Sequence, residues 1–257
     1  MIDPGFDRRF RVLRYDAVGS TQEEARALLA SDPAPGTLVV ARSQAAGRGR
    51  GGRVWSSPAD RGLWCTLIHR SARPPREWPA LTAIAAMAVA GALRWLGEDP
   101  ALKWPNDVLL GGRKVAGILA DVESGAALIG IGVDLMQDRK DFEPALRSVA
   151  TSLAMERRRR GASPVGVEEF LRLFLPSLGD RLDRFEQAGP GETLRDAWEA
   201  CCQRGREVAL ELPDGTRVSG RATGLGPAGE IVLDGPGGAH AYASGTVVGG
   251  VVGEREE

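Results

Sequence analysis

Cysteine and histidine are scarce in this sequence, whose 257 residues contain three cysteines and two histidines. Cys201 and Cys202 are adjacent while Cys65 stands apart, and this spacing matches no set of metal ligands. His69 and His240 lie far apart and fit no zinc motif. An odd number of cysteines also argues against a disulfide framework. We therefore expect neither a zinc site nor a fold held together by disulfides.

Strong net charge and long hydrophobic runs are also missing. The formal net charge is −1, so no global field attracts nucleic acid or an anionic membrane. No apolar run reaches the roughly 18 residues that span a bilayer. Residues 1–15 contain no apolar core of a signal peptide. The sequence therefore predicts a cytoplasmic protein with neither a nucleic-acid nor a membrane partner.

Hydrophobic periodicity predicts helices and strands in mixed order over the first 202 residues. Residues 78–96 are rich in alanine and apolar on most faces, which is typical of a buried helix. Gly111 and Gly112 supply a tight turn between two strands. Ser20 or Thr21 can cap the helix predicted at 20–30, and Glu23 or Glu24, three positions on, can close a capping box. The other predicted elements are helices at 20–30, 167–187 and 192–202 and strands at 10–15, 37–41, 63–68, 102–104, 108–110, 114–122 and 126–133.

The pattern changes after Cys202, where short strands and turns alternate. Residues 206–212 and 217–222 predict a hairpin, and strands follow at 231–233, 239–243 and 246–252. We predict an α+β protein: helices packed against a mixed sheet at 8–202, then a small C-terminal β-barrel at 203–257. Four arginines at 157–160 indicate a solvated loop or a helix end, with a docking patch for an acidic partner as the alternative.

The most informative segment is 47–53, in which three arginines alternate with four glycines. Glycine lets the backbone approach a ligand, while backbone N–H groups and guanidinium groups suit phosphate or carboxylate. Trp55 adds a flat face for stacking. A flexible basic surface loop has the same composition. Gly47, Gly49 and Gly52 also fit a dinucleotide-binding pattern, but no helix follows in a βαβ setting, so we interpret that match as chance.

A second informative segment, 103–107, reads Lys-Trp-Pro-Asn-Asp between two predicted strands. Asn106 could hydrogen-bond a polar ligand edge, and Asp107 could help to hold Mg²⁺. A polar hairpin turn also explains these two residues, but it does not explain why Lys103 and Trp104 stand in the preceding strand.

The third segment begins at Lys114, which opens an apolar strand three residues before Gly117. A lysine at a strand mouth beside a small-residue gap is well placed as a fixed cation next to a ligand. A lone lysine at a hairpin is more often simply solvated, so the functional interpretation rests on the three segments together.

In their order and spacing along about 120 residues, these segments resemble the biotin protein ligase family. The family's Lys-Trp-Pro-Asn-Asp segment is unchanged at 103–107, and its glycine-arginine loop and lysine strand are similar to 47–55 and 113–119. Its Ser-Thr-Asn helix start is similar to 20–22, and its strand-end glutamine to Gln44. The resemblance implies a class II synthetase-like catalytic domain that converts biotin and ATP to biotinoyl-5′-AMP. The biotinoyl group would then pass to a lysine of biotin carboxyl carrier protein, part of acetyl-CoA carboxylase or a related biotin-dependent carboxylase.

The resemblance also implies residue roles. Biotin would be bound by Ser20, Thr21, Gln22, Gln44, Gly47, Arg48, Gly49, Arg50, Trp55, Lys114 and Gly117. The nucleotide would be bound by Arg50, Arg53, Trp55, Lys103, Asn106 and Asp134. Lys114, between the biotin carboxylate and the α-phosphate, would be catalytic together with Arg48 and Arg50, and Mg²⁺ would lie at Asp107.

Two positions depart from the family pattern. Gln22 and Asp134 each stand where the family usually has asparagine, and the aspartate puts ATP affinity in question. The DNA-binding form of the family carries a winged helix-turn-helix, and the 19 residues before Ser20 are too few for one. We therefore expect the form without that domain. A homodimer is common in the family.

Two other functions stay open. A lipoate ligase or octanoyltransferase would have a similar fold and lysine, although Ser20, Thr21 and Gln44 suit a ureido group better than an apolar acyl chain. A non-catalytic protein that binds biotin or nucleotide is the second alternative, and Asp134 is the main feature that favours it.

Overall fold

A computed structural model describes residues 6–248, which form two β-sheets and five α-helices. The helices are α1 (Thr21–Leu28), α2 (Leu81–Trp95), α3 (Leu153–Arg159), α4 (Val167–Ala188) and α5 (Gly191–Glu199). The first sheet contains β1 (Arg11–Val18), β2 (Thr37–Gln44), β3 (Gly62–His69), β4 (Pro100–Lys103), β5 (Asp107–Leu110), β6 (Arg113–Glu123) and β7 (Ala126–Asp134). The second contains β8 (Glu207–Glu211), β9 (Arg217–Leu225), β10 (Ile231–Gly235), β11 (Gly238–Tyr242) and β12 (Thr246–Val247).

The first sheet has the strand order β1-β2-β3-β7-β6-β5-β4, and β1 and β2 pair in parallel while the other neighbours are antiparallel. The predicted mixed sheet with packed helices is thus confirmed. Gly111 and Gly112 form the expected turn between β5 and β6, with φ angles of +54° and +75°. Such angles favour glycine because a Cβ atom would be strained there.

Helix α2 lies in the core between the first sheet and α4, as its apolar sequence predicts. Phe170 and Phe174, one turn apart on α4, stack with their ring centroids 6.2 Å apart on the buried face of that helix. The helical segment Pro75–Trp95, which includes charged residues near both ends, is long and apolar enough to cross a membrane by length and composition. However, 67% of its most apolar window is buried inside the protein, as in the core helix of a globular fold.

The four consecutive arginines lie at the end of α3, so the helix-end interpretation is confirmed. Arg157 and Arg160 both pair with Glu98, a buried carboxylate, and Arg158 pairs with Asp138 at 2.9 Å. Because these arginines are matched by acidic groups of the same chain, the structure lends no support to a docking patch for an acidic partner.

The second sheet has the order β11-β10-β9-β8-β12 and is antiparallel throughout. Within residues 6–248 it is an open sheet, so the expected closed β-barrel is wrong for the part of the chain that the structure describes. β12 pairs with β8 through Thr246 and Val247 and forms one edge of the sheet, while β11 forms the other edge. The rest of the strand predicted at 246–252 extends beyond the described residues.

Trp104 joins the two sheets. Its indole is buried and lies in the core of the second sheet with Val208, Leu210 and Ile231. Its Nε1 donates to the main-chain oxygen of Gly229 at 2.9 Å. Trp104 is therefore an apolar anchor between the two sheets. This role explains why a tryptophan stands at position 104, which a polar hairpin turn did not. The domain boundary at 202/203 stays a prediction.

Candidate active site

A cavity of about 1060 Å³ opens where α1, the 47–55 loop, the β5–β6 hairpin and the end of β7 meet. Apart from the buried Gly47, it is lined by every residue that the sequence singled out: Ser20, Thr21, Gln22, Gln44, Arg48, Gly49, Arg50, Arg53, Trp55, Lys103, Asn106, Asp107, Lys114, Gly117 and Asp134. The fold thus gathers segments that are far apart in the chain around one space.

One wall of this cavity is uncharged and built for hydrogen bonding. The parallel pairing of β1 and β2 sets Gln44 beside Val18, close to the start of α1. Gln44 Oε1 accepts from Thr21 N at 2.8 Å and lies 3.1 Å from Thr21 Oγ1, while its Nε2 donates to Ser57 Oγ at 2.7 Å. Ser20 caps α1 as predicted, with its Oγ accepting from Gln22 N at 3.2 Å.

Thr66 completes this wall and was missed by the sequence analysis. Its hydroxyl is fully buried and lies 2.9 Å from Thr21 Oγ1 and 3.1 Å from Gln22 Oε1. The amide of Gln22 also donates to Asp121 Oδ2 at 3.2 Å and to the Leu128 carbonyl at 3.1 Å. Both N–H groups of the Gln22 side-chain amide therefore donate to acceptors within the protein. One hydroxyl in the apolar strand β3 was the sole sequence signal for Thr66.

The 47–55 loop is a closed turn rather than an unstructured surface loop. Trp55 N donates to Gly47 O at 2.9 Å, and Gly49 N donates to Arg53 O at 2.7 Å. Gly51 adopts a φ of +67° at the tip. These bonds fold the segment back over the cavity, so its arginines are held close to the site.

The arginines of the loop have different partners. Arg48 is exposed and pairs with Glu23 at 2.6 Å, so Glu23 binds arginine rather than closing the predicted capping box. Arg50 is half-buried, and its guanidinium donates to the Gly245 carbonyl at 2.6 Å. Burial, and then the neighbouring charge of Arg53, lower the pKa of Arg50 from its usual value. A poorly solvated cation of this kind gains most from an arriving anion.

Trp55 lies across the floor of the cavity. A Cβ atom at Gly117 would come within 2.9 Å of its indole and one at Gly132 within 2.6 Å, so both glycines are needed for this packing. Lys114 Nζ lies 5.0 Å from the ring centroid. Indole Nε1 is buried and has no hydrogen-bond partner within residues 6–248. A buried donor without a partner favours a ligand or a rearrangement that satisfies it.

The cationic wall is formed by the β5–β6 hairpin. Lys114 Nζ lies 2.6 Å from Asp107 Oδ1, and both side chains are partly exposed to the cavity. Asn106 Nδ2 donates to the Ile118 carbonyl at 2.8 Å, which leaves the side-chain oxygen as an acceptor. The peptide bond between Trp104 and Pro105 is cis and lies in this turn.

Two further groups at the cavity are buried and ionisable. Burial raises the pKa of Asp134 well above its usual value, and the charge of Lys114 opposes that shift. Burial likewise raises the pKa of the Cys65 thiol, so it is no nucleophile at neutral pH. Cys65, Cys201 and Cys202 are all free thiols.

The sequence is similar to those of known protein ligases. A model of the biotin/lipoate A/B protein ligase family matches residues 17–135. The bifunctional ligase/repressor BirA of Bacillus subtilis is 40% identical over 149 residues, which are 56% of this chain and 46% of that protein, so the chain spans about half of its length. The biotin--[acetyl-CoA-carboxylase] ligase of Mycobacterium tuberculosis is 32% identical over 238 residues, covering 90% of this chain and 85% of that protein.

The fold agrees as well. The structure of the biotin protein ligase from Aquifex aeolicus in complex with biotin and ATP superposes with a TM-score of 0.80 at 25% identity, covering 93% of this chain and 97% of that one. Similarity in sequence over most of the chain and in fold over nearly all of it leads to one assignment: the chain belongs to the biotin protein ligase family.

Proposed function

We propose that this chain is a biotin protein ligase that forms biotinoyl-5′-AMP from biotin and ATP and biotinylates a lysine of biotin carboxyl carrier protein. The observation that carries the proposal is a single cavity with two unlike walls. Thr21 and Gln44 offer uncharged hydrogen-bonding groups, and Lys114 and Arg50 offer positive charge. Biotin has a neutral ureido ring at one end and a carboxylate at the other, so it matches both walls.

At the uncharged wall, Ser20, Thr21 and Gln44 are proposed to bind the ureido ring. Because the N–H groups of Gln22 are already used, Gln22 would act mainly through Thr66, whose position it sets. Gly49 and Gly117 line the cavity and would let the ligand lie close to the backbone, whereas the buried Gly47 leaves room for the Trp55 carbonyl. An apolar lipoyl or octanoyl chain would leave these polar groups unpaired, which disfavours the lipoate alternative.

In the proposed first step, a biotin carboxylate oxygen attacks the α-phosphorus of ATP, the bond to the bridging oxygen breaks, and pyrophosphate leaves. Both reactants are anionic, so the reaction needs fixed positive charge where negative charge accumulates. Lys114, between carboxylate and α-phosphate, would supply it together with Arg48 and Arg50. The ion pair with Asp107 would hold the lysine in place before the substrates arrive.

The adenylate would lie towards Arg53, Trp55, Lys103, Asn106 and Asp134, which line the same cavity. The free side-chain oxygen of Asn106 suits the amino group of adenine. Trp55 is proposed to move from the floor and cover the adenylate, where its buried Nε1 could find an acceptor. Covering the mixed anhydride would protect it from water.

Magnesium is proposed to enter as the ATP complex. Within residues 6–248 no group of three acidic, histidine or cysteine side chains could hold a metal. Asp107 is already paired with Lys114, so it fits Mg²⁺ only as one carboxylate beside substrate phosphates. The role of Asp107 as a magnesium ligand therefore stays a prediction.

In the proposed second step, the neutral amine of the substrate lysine attacks the acyl carbonyl and AMP leaves. Neither histidine lies at the cavity: His69 contacts Glu186 at 2.9 Å, and His240 lies 3.2 Å from Gly237 O. A histidine base is therefore not part of the proposed reaction. The carrier protein, a homodimer and a cytoplasmic location stay predictions from the sequence and its relatives.

The decisive experiment measures pyrophosphate release from ATP and Mg²⁺ with biotin, lipoate or octanoate, followed by transfer to an isolated carrier domain. Release with biotin and biotinylation of the carrier lysine are expected. Pyrophosphate release with lipoate or octanoate but not with biotin would indicate a lipoate ligase or octanoyltransferase instead. Biotin binding without release would favour the non-catalytic alternative.

A further inference from the structure

The carboxyl group of Asp134 is enclosed at the edge of the active-site cavity. It ends β7 and is 6% exposed. Within the described residues it accepts a hydrogen bond from Gln137 Nε2. Gln137 is itself 2% exposed, and its main-chain oxygen accepts from Ser152 Oγ at 2.6 Å, which fixes its backbone. Both side chains line the cavity, so their hydrogen-bonding state determines what a ligand meets there.

Little positive charge is available to this carboxyl group. Lys114 faces it from β6, but the Lys114 ammonium is paired with Asp107 at 2.6 Å. From the segment before β3, Arg61 donates to the Met136 carbonyl at 3.1 Å, and β3 sets Gly62 opposite Asp134. On α3, Glu156 pairs with Arg113.

An isolated carboxylate is costly in such a place, because burial removes the water that stabilises its charge. The same burial is what raises the pKa of Asp134.

The amide of Gln137 provides an independent observation. Its Oε1 is buried and has no hydrogen-bond partner in the described part of the chain. An ionised Asp134 has no proton to give, so it must take the Nε2 donor and leave Oε1 unsatisfied. A neutral carboxylic acid can donate to Oε1 once the amide is turned by half a rotation. That turn carries the two N–H donors of Gln137 to the buried position that Oε1 now occupies, so the neutral acid itself is the group beside the cavity.

We propose that Asp134 works as a neutral carboxylic acid, hydrogen-bonded to Gln137, beside the adenine nucleotide. This inference rests on the proposed function for the identity of the ligand. A neutral acid offers one donor and one acceptor, like an amide, and adds no charge beside an anionic substrate. Ionisation would remove the donor and place a negative charge next to the nucleotide, so binding should weaken as pH rises.

The ligand-free test compares urea unfolding of the wild-type chain and Asp134→Asn from pH 5 to pH 8. A carboxyl group that stays neutral in the folded state but ionises on unfolding costs stability as pH rises. The unfolding equilibrium constant of wild type relative to Asp134→Asn should rise about tenfold per pH unit until the folded acid ionises. Parallel stability curves would overturn the proposal. Gln137→Leu offers a second route, because removing the amide partner should change the pH at which the difference levels off.

The nucleotide test measures KM for ATP in pyrophosphate release at pH 6.0 to 8.5, with saturating biotin. In the wild-type chain KM should rise with pH more steeply than in Asp134→Asn, while kcat changes less. Asp138→Asn, four residues from Asp134, removes a partly exposed carboxylate that pairs with Arg158 and should keep the wild-type slope. Equal slopes in wild type and Asp134→Asn would contradict the proposal. Absence of pyrophosphate release in every variant would instead count against the proposed function, and the unfolding comparison would still decide the state of Asp134.

Discussion

The guanidinium group of Arg50 donates a 2.6 Å hydrogen bond to the main-chain oxygen of Gly245, 195 residues further along the chain. Arg53 adds a weaker contact of 3.4 Å to Thr246 Oγ1. These contacts attach the tip of the 47–55 loop to the second sheet beside β12. The second sheet therefore helps to set the position of cations that the proposed adenylation step needs.

Replacing Arg50 tests this arrangement. Arg50→Lys keeps a positive charge but loses the planar fork, so it cannot bind Gly245 and an anion together as the guanidinium does. We expect Arg50→Met to lower the rate of biotinoyl-AMP formation about 100-fold and Arg50→Lys to lower it less. Quenched-flow measurement of the adenylate reports both rates. Arg42→Met, at an exposed arginine paired with Asp60, is the matched control, and an equal loss there would refute the assignment.

Lys114→Ala should cripple adenylate formation by about 100-fold or more, because it removes charge next to the developing negative charge. Docking of the carrier protein should be affected much less. Single-turnover assays with biotin and ATP, compared with transfer from preformed biotinoyl-AMP, separate the two steps. An unchanged burst of adenylate in Lys114→Ala would contradict a catalytic role for Lys114 in adenylate formation.

Thr66→Val removes one buried hydroxyl with little change in volume. Thr21 and Gln22 then lose their shared partner, at a cost of roughly 1–3 kcal/mol. We expect biotin to bind about tenfold more weakly in calorimetry, whereas kcat at saturating biotin changes less. Thr223→Val, at an exposed threonine of the second sheet, should leave biotin affinity at the wild-type value. Equal affinity in both variants would contradict a role for Thr66 in the uncharged wall.

Gly132→Ala places a methyl group where the indole of Trp55 lies, within 2.6 Å. Trp55 must then leave the floor of the cavity, so we expect its fluorescence to change and biotin to bind more weakly. Gly224→Ala is the matched control because a Cβ atom there meets nothing within 4 Å. If the two variants bind biotin equally well, the close packing of Trp55 on Gly132 does not contribute to biotin affinity.

Trp104→Ala should destabilise the fold by about 3–5 kcal/mol, since it empties a large buried site between the two sheets. Trp95→Ala, at a tryptophan that is 76% exposed, should cost far less. Urea unfolding of both variants gives the comparison. Similar losses at the two positions would mean that Trp104 is not the anchor its burial indicates.

The sequence predicted the parts of this protein that are encoded locally. The Gly111–Gly112 turn, the α1 cap at Ser20 and the apolar helix α2 each follow from a few neighbouring residues, and the structure confirms them. The structure also brings the segments at 47–55, 103–107 and 114–117 together around one cavity. Each segment combines charge with glycine or an interrupted strand, a pattern that a plain surface loop does not need.

What the sequence did not reveal depends on contacts between distant segments. Thr66 is one hydroxyl in an apolar strand and acquires meaning only when β3 lies beside the start of α1. The bond between Arg50 and Gly245 joins opposite ends of the chain and leaves no local pattern. The second sheet was predicted as a barrel because strand spacing does not distinguish a closed sheet from an open one.

The burial of Trp104 has a consequence for synthesis on the ribosome. The apolar residues that pack against Trp104 lie between Val208 and Leu233 and are translated about a hundred residues later. The indole of the nascent chain therefore stays exposed until then. Chains that stop early would present this tryptophan to chaperones and proteases. Once residues 208–233 have folded, the indole of Trp104 is buried. Exposure of this one side chain therefore distinguishes a fragment that ends before Val208 from a chain that contains the second sheet.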